Sequence, residues 1–322
     1  MKKGKIAEML GIEYPVFQGG MAWIADAQLA AAVSNAGGLG IIAAGNADGT
    51  YVREQIKKAK ELTSKPFGLN IMLLSPFADD VAKIAVEEGV QVITTGAGNA
   101  TKYMEMWLEA GIKVIPVVPS ITFAKLAARS GACAVIAEGG ESGGHIGELN
   151  TMALVPQVCD AVDLPVIAAG GIADGRGMAA AFALGADAVQ LGTRFLSAYE
   201  CNIHENYKKK ILKAGDTSTM VTGRRLGHPV RSIRNAFSRE YSKIEYTDIS
   251  DEELDAFIQK IDKATDDPDN FITMTQLEEE WNRLSLKTHK IYSDVVSETL
   301  TAIDTKELNS SKKENSSRKE SD

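Results

Sequence analysis

Short apolar runs recur along the first two hundred residues: Pro15-Val-Phe-Gln18, Leu39-Gly-Ile-Ile42, Phe67-Gly-Leu-Asn-Ile71, Val90-Gln-Val-Ile-Thr94, Val114-Ile-Pro-Val-Val118, Ala134-Val-Ile-Ala137, Val166-Ile-Ala-Ala169 and Ala188-Val-Gln-Leu191. Most are separated by amphipathic, helix-favouring segments such as 51–62, 77–88, 100–110, 121–130 and 176–184. Strand and helix signals in alternation predict a parallel sheet with helical crossovers. Eight such units predict an α/β fold of the (β/α)8 TIM-barrel type, whose usual length of about 250 residues fits the region to about Ser197 plus a later closing helix. A doubly wound open sheet is the alternative, but no G-x-G-x-x-G follows the first strand. The beat stops after Ser197. The expected organisation is therefore a barrel over 1–198, a C-terminal mixed helical cap and further helices over 199–305, and a disordered tail over 306–322. Helices are expected at 251–263 and 276–304. The tail is rich in Ser, Asn, Lys and Glu and has no apolar residue beyond Leu308, so it lacks the material for a core.

Polar or glycine-rich residues gather just after nearly every predicted strand, on the rim where barrel enzymes build their sites. The sixth loop is the richest: Glu138-Gly-Gly-Glu-Ser-Gly-Gly-His145 holds four glycines within six residues. Glycine serves where backbone must approach a ligand or take positive φ, and His145 is the side chain best placed there to exchange a proton near neutral pH. Gly170-Gly171 and Gly192-Thr193 end strands seven and eight, a common phosphate site in barrels. There the loop amides and the Thr193 hydroxyl would face an anion, although both pairs also fit tight turns alone. Arg194 would neutralise such an anion or form a salt bridge on the barrel. Gly19, Gly20, Met21 and Trp23 follow the first strand and suit a flat aromatic ring, with Asn70 in reach of its heteroatoms. Core packing is the competing reading of Met21 and Trp23.

Composition narrows the picture. The chain has 322 residues, 44% hydrophobic but only 6% aromatic, which fits a core of Ala, Val, Ile and Leu. No apolar run approaches the ~18 residues of a membrane span, and the basic start Met1-Lys-Lys-Gly leads into no signal-type apolar region. Cys133, Cys159 and Cys201 are odd in number and far apart. They predict incidental thiols in a reducing cytoplasm and no metal site. The net charge of −8 hides an asymmetry: 207–243 carries ten Lys/Arg against two acids, and 244–305 sixteen acids against five Lys/Arg. The basic stretch is a solvated face or attracts an anionic partner. Overall acidity without interleaved aromatics argues against nucleic acid.

Several of these motifs, in order, resemble one family. Gln18-Gly-Gly-Met-Ala-Trp23, Phe67-Gly-Leu-Asn-Ile-Met-Leu73, Thr94-Thr-Gly-Ala-Gly-Asn99, Ile115-Pro-Val-Val-Pro-Ser120, Ile136-Ala-Glu-Gly139 with Gly143-Gly-His-Ile-Gly147, and Ala168-Ala-Gly-Gly-Ile-Ala-Asp-Gly175 look like the FMN-dependent enoyl-acyl-carrier-protein reductases II, the FabK type, grouped with the nitronate monooxygenases (formerly 2-nitropropane dioxygenases). The likeness extends over about residues 5–243 and includes Asn206-Tyr-Lys208 and Gly227-His-Pro-Val-Arg231. It implies FMN with its ring near Gly19–Met21 and Asn70, and its phosphate at Gly170-Gly171 and Gly192-Thr193. NAD(P)H would supply hydride for reduction of a trans-2-enoyl thioester on acyl carrier protein. His145 would polarise the carbonyl or relay the proton. Glu138, Gly143 and Gly144 would line the cofactor side, with Glu138 holding the loop, and a homodimer is implied. His228, Arg231 and the run 208–210 would form an anion-attracting docking face. The likeness ends near 266–276, where the family's glycine- and serine-bearing closing segment gives way to Asp266-Asp-Pro-Asp-Asn-Phe-Ile-Thr-Met-Thr-Gln276. Two alternatives stand beside enoyl reduction: nitronate oxidation with the same histidine as base, and an inactive barrel kept for binding.

Overall fold

The computed structural model describes residues 4–247, 250–252 and 254. Its contacts group the chain into two compact units, Met1–Ser232 and Ile233–Asp322, so residues 199–232 fall with the barrel strands. The first unit begins with α1 (Lys5–Leu10), β1 (Val16–Gln18), α2 (Ala27–Asn35), β2 (Gly40–Ala43), α3 (Gly49–Leu62), β3 (Phe67–Met72) and α4 (Ala78–Glu87). It continues with β4 (Val92–Gly96), α5 (Thr101–Glu109), β5 (Lys113–Val118), α6 (Ile121–Arg129), β6 (Val135–Glu138) and a two-residue strand β7 (Gly144–His145) outside the barrel. Then come α7 (Thr151–Ala161), β8 (Val166–Ala169), α8 (Gly175–Ala183), β9 (Ala188–Leu191), α9 (Thr193–Leu196) and α10 (Glu205–Leu212).

Eight parallel strands run in the order β1-β9-β8-β6-β5-β4-β3-β2, and the parallel bridge Phe17–Leu39 joins the two ends into a ring. Each strand lies on one of the expected apolar runs, and the fold is the (β/α)8 barrel. Period-two alternation divides the side chains. Phe17, Leu39, Ile41, Val92, Ile115, Ile136, Ile167 and Ala188 fill the interior, and Ile6, Ala7 and Leu10 of α1 pack into the same cluster. Ile42, Leu69, Ile71, Ile93 and Val114 face outward onto Val52, Ile56, Val81, Ile84 and Trp107 of the helices. Trp107 is fully buried, and its indole N–H donates to the carbonyl of Ala82 at 3.1 Å, so its one polar atom is satisfied.

The loops leaving the strands end in helix caps, because each following helix turns its unpaired N–H groups toward the rim. Asp26 accepts from the Leu29 amide, Asp48 from Tyr51, Ser120 from Phe123, and Asp174 from Arg176 and Gly177.

Ring closure depends on Gln18. Strands β1 and β2 share one backbone bridge, and the wholly buried Gln18 side chain extends the pairing. Its Nε2 donates to the Ile41 carbonyl and its Oε1 accepts from the Ile41 amide, each at 3.1 Å. A side-chain amide here does what a neighbouring peptide group does elsewhere in the ring.

The region after the barrel differs from the expected helix and loop. Besides α10 it contains β10 (Thr219–Thr222) and β11 (Val230–Ile233), which form a three-stranded sheet in the order β10-β11-β7. Both new strands are four residues long and rich in β-branched side chains. β10 pairs with β11, and β11 pairs in turn with the two-residue β7, 85 positions before it at Val230 and His145, so no local pattern announces the sheet. In the second unit, α11 (Ala236–Ile244) starts with a capping box in which the Asn235 side chain and Ser238 exchange hydrogen bonds. The expected helix 276–304, the tail 306–322 and the segment 266–276 lie outside the described residues, as does most of 251–263. No helix among the described residues is long and apolar enough to cross a membrane.

Replacing Gln18 by Leu should leave both Ile41 backbone groups buried and unpaired, lowering unfolding free energy by about 2–4 kcal/mol. Denaturant titration of purified protein checks this, and an unchanged midpoint would mean that backbone pairing alone closes the ring.

Candidate active site

The interior is apolar up to its last layer at the C-terminal rim, where it becomes polar. Val92, Ile136 and Ala188 point inward, so Thr94, Glu138 and Gln190, two residues further on, share that face. Asn70 joins them, its Nδ2 donating to the Thr94 hydroxyl at 2.9 Å. This contact fixes the orientation of the Asn70 amide.

The loop after β1 lies directly on this layer. A Cβ on Gly20 would sit 2.5 Å from the Asn70 Cβ, and one on Gly19 would sit 2.9 Å from the Gln190 Cδ. Only glycine permits that approach. Gly192 meets Met21, whose sulfur lies 3.8 Å from the place a Cβ would take. Gly19, Gly20 and Asn70 thus meet at the mouth, and Gly192, expected with the phosphate residues, lies beside Met21. Met21 also packs against Leu29, Val33, Leu196 and Cys201. Trp23 turns away from the mouth: it packs on the outer core and against Tyr51, with ring centroids 6.5 Å apart. Its φ of 64°, like the 51° of Ala97, places a non-glycine residue in the left-handed region within a rim loop, where strain is stored at functional sites.

Across the mouth the loops after β6 and β8 are pressed together. Gly170 has a φ of 102°, and a Cβ there would meet the Thr151 hydroxyl at 2.7 Å and the Gly139 carbonyl at 2.8 Å. Neither Gly171 nor Gly192 gives its amide N–H to another backbone group among the described residues. Thr193 opens the four-residue α9. Arg194 is exposed and makes no ion pair among the described residues. In the β2 loop, the buried Oδ1 of Asn46 has no hydrogen-bond partner among the described residues. The mouth thus offers a glycine floor for a flat ring and open amides for an anion.

Gly143, Gly144 and His145 lie above the rim in the 139–149 loop. The loop is closed at its neck by the Gly140 amide, which donates to the Leu149 carbonyl at 2.9 Å. Gly144 takes a φ of 80° and leads into β7, where His145 pairs with Val230. His145 is exposed. Arg231 ties the same strands down, its Nε donating to the Gly140 carbonyl at 3.0 Å and Nη1 to the Thr219 hydroxyl at 3.1 Å. Arg231 therefore holds the histidine loop, a role beyond the docking face that the resemblance implied.

Glu138 stands at the inner end of that loop, and burial pushes its carboxyl up to about 7, with the Ser142 hydroxyl opposing the shift. The three cysteines are free thiols. Burial pushes Cys133 up to about 11, which leaves it without thiolate character. No group of three or more His, Cys, Asp or Glu among the described residues is placed to hold a metal ion. Thr94, Gln190, Thr151 and Glu141 enter the site from the structure: the sequence shows them as single polar residues, and their role comes from partners on other strands.

Comparison with known proteins agrees with this architecture. Residues 3–278 match the family model described as nitronate monooxygenase. A Mycobacterium tuberculosis protein, (3aS,4S,5R,7aS)-5-hydroxy-7a-methyl-1-oxo-octahydro-1H-indene-4-carboxyl-CoA dehydrogenase, is 42% identical over 232 residues, 71% of this chain and 65% of that protein. This chain thus spans less than two thirds of that relative. A probable nitronate monooxygenase of Staphylococcus aureus is 35% identical over 290 residues, with 76% of this chain and 81% of the relative covered. Among solved structures, FabK from Thermotoga maritima is 54% identical with a TM-score of 0.75, covering 76% of this chain and 79% of that one. Nitroalkane oxidase from Streptomyces ansochromogenes is 30% identical with a TM-score of 0.68, covering 73% and 80%. The family model runs along most of the chain, and relatives and solved structures of the same kind match over about three quarters of it: this chain belongs to the nitronate monooxygenase family.

Proposed function

We propose that the chain reduces trans-2-enoyl thioesters with NAD(P)H by way of FMN, with acyl carrier protein as the natural carrier of the acyl group. The carrying observation is the mouth itself: the Gly19–Gly20 floor against Asn70 and Gln190, opposite the open amides of Gly171 and Gly192. A glycine floor with unpaired amides opposite it suits a flat ring with a phosphate arm. The 54% identity to Thermotoga maritima FabK supports the reading, and the mycobacterial relative's name also carries a CoA ester of a carboxyl group. Bound flavin would supply hydride transfer from nicotinamide to the alkene β-carbon.

The chain's own residues do the rest. Asn70, held by Thr94, would orient the edge of a bound ring, and Gly171, Gly192 and Thr193 would receive its phosphate. His145 donates a hydrogen bond to the thioester carbonyl as negative charge develops there, and delivers the proton to the α-carbon. Glu138, protonated up to about pH 7, keeps a second negative charge out of a mouth that must tolerate an electron-rich ring. Lys209 and Lys213 of the α10 region are exposed and form the face that meets an acidic carrier.

A second reading, nitronate oxidation by oxygen with His145 as base, is favoured by the Staphylococcus and Streptomyces relatives. Anaerobic NAD(P)H oxidation with crotonyl thioester, set against oxygen uptake with a nitronate, separates the two. Enoyl reduction predominates on the present reading, and oxygen uptake alone would replace it with the second. Protein that neither purifies yellow nor binds added FMN would point to an inactive barrel.

His145→Ala should lower kcat by about 10²–10⁴-fold, the span of general acid catalysis, while the flavin spectrum is unchanged. Undiminished turnover would remove the histidine from the chemistry. The double variant Lys209→Glu/Lys213→Glu should raise KM for the carrier-protein substrate, more steeply at low salt. It should leave crotonyl-CoA unaffected, and an equal effect on both would locate those lysines elsewhere in function.

Glu138 also gives a stability prediction. Folded, it keeps its proton up to about 7, against an ordinary value of 4.5. Between those values unfolding releases a proton, so this group's contribution to stability falls as pH rises and then levels off. Glu138→Gln should therefore gain on wild type between pH 4.5 and 7, reaching about 1–3 kcal/mol once water at the mouth is allowed for. Denaturant midpoints from pH 5 to 8 measure the difference, and a pH-independent gap would mean Glu138 titrates normally.

A further inference from the structure

We propose that Glu141 is a positioning residue that acts through His145, by latching the 139–149 loop to the end of β8. The latch is a set of hydrogen bonds that meet at Thr151. One carboxylate oxygen of Glu141 accepts from both the amide of Thr151, at 2.9 Å, and its hydroxyl, at 2.8 Å. The same hydroxyl lies 3.0 Å from the Gly170 carbonyl and 3.3 Å from that of Ala169. The Glu141 Cβ is 3.1 Å from where a Cβ on Gly171 would be. Thr151 thus stands at a junction: it begins α7, it touches the end of β8, and it holds the loop that carries the histidine four residues beyond Glu141.

Two physical features make this contact more than a turn. First, Asn150, at the N-cap of α7, makes no side-chain cap bond, and Glu141 accepts from the first helical amide, that of Thr151, from outside the helix. A carboxylate at a helix N-terminus is favoured by charge as well as by hydrogen bonding. Second, the Thr151 hydroxyl has one proton and three acceptors around it. The bond to an ionised carboxylate is the strongest of the three, so the carboxylate draws the hydroxyl proton and, with it, the loop. Without Glu141 the proton turns to Gly170, and the loop loses its tie to the end of β8 while keeping its neck bond, the Arg231 bond to Gly140 and its pairing with β11. The histidine and the Gly170–Gly171 amides then lose their fixed separation, and a displacement of about 1 Å between reacting groups costs up to about 10²-fold in rate.

The inference rests on the enoyl-reductase reading for its kinetic arm but not for its structural arm. In the first arm, Glu141→Ala should lower kcat about tenfold with KM changed less than about twofold. Glu141→Gln, which keeps an acceptor, should recover most of the loss. In a His145→Ala background the same Glu141→Ala change should cost nothing further, because a residue acting through the histidine has nothing left to position. An equal loss in both backgrounds, or no loss in either, overturns the proposal. Thr151→Val removes the hydroxyl and keeps the amide, and it should reproduce the kcat loss if Glu141→Ala does not fold. In the second arm, hydrogen exchange of the 139–149 segment should quicken about tenfold in Glu141→Ala and return toward wild type in Glu141→Gln. Exchange unchanged in both overturns the latch whatever the substrate is. Wild-type protein that reduces no enoyl thioester but shows this exchange pattern keeps the latch and discards the functional reading.

Discussion

A ring of eight parallel strands has no free edge only if its first and second strands meet, and in this chain they meet through a single backbone bridge. The remaining backbone groups of Ile41 are reached by the buried amide of Gln18. Burying a polar side chain is costly unless every bond is made, and here the cost is offset because the amide substitutes for a peptide group. The next two residues are Gly19 and Gly20, so the closing residue also sets the height at which the glycine floor lies on Asn70 and Gln190. The stability of the ring and the shape of the mouth are thereby one structural fact. A shift of β1 along β2 would move both.

The second constraint is the change from apolar to polar within one strand step. Ile136 and Glu138 are neighbours on the same face, as are Val92 and Thr94. The lower layer holds the barrel together by excluding water, and the upper layer must stay wet or bound. Glu138 sits at that boundary, close enough to the core for its charge to be disfavoured. The same desolvation strengthens every hydrogen bond made in the mouth, so the feature that weakens the fold at neutral pH sharpens the site.

Much of this was legible in the chain. The eight apolar runs located all eight barrel strands, and the glycine pairs after β1 and β8, with Gly192 after β9, marked the rim, because both signals are local. What escaped was relational. Asn70 depends on Thr94, 24 residues away and on the next strand. Glu141 caps a helix that begins ten residues later. The β10-β11-β7 sheet rests on a partner strand of two residues, too short for any periodicity to register. Trp23, beside the glycines in sequence, turns to the outer core because a left-handed φ reverses the direction of its side chain. Spacing shows which residues are near the mouth but not which way they face.

The short helix α1 closes the picture from below. Ile6, Ala7 and Leu10 are packed among the interior side chains at the opposite end of the barrel, so the barrel is stoppered at its base. With the interior packed and the base covered, nothing reaches the glycine floor through the barrel; a ligand enters and leaves on the rim side alone.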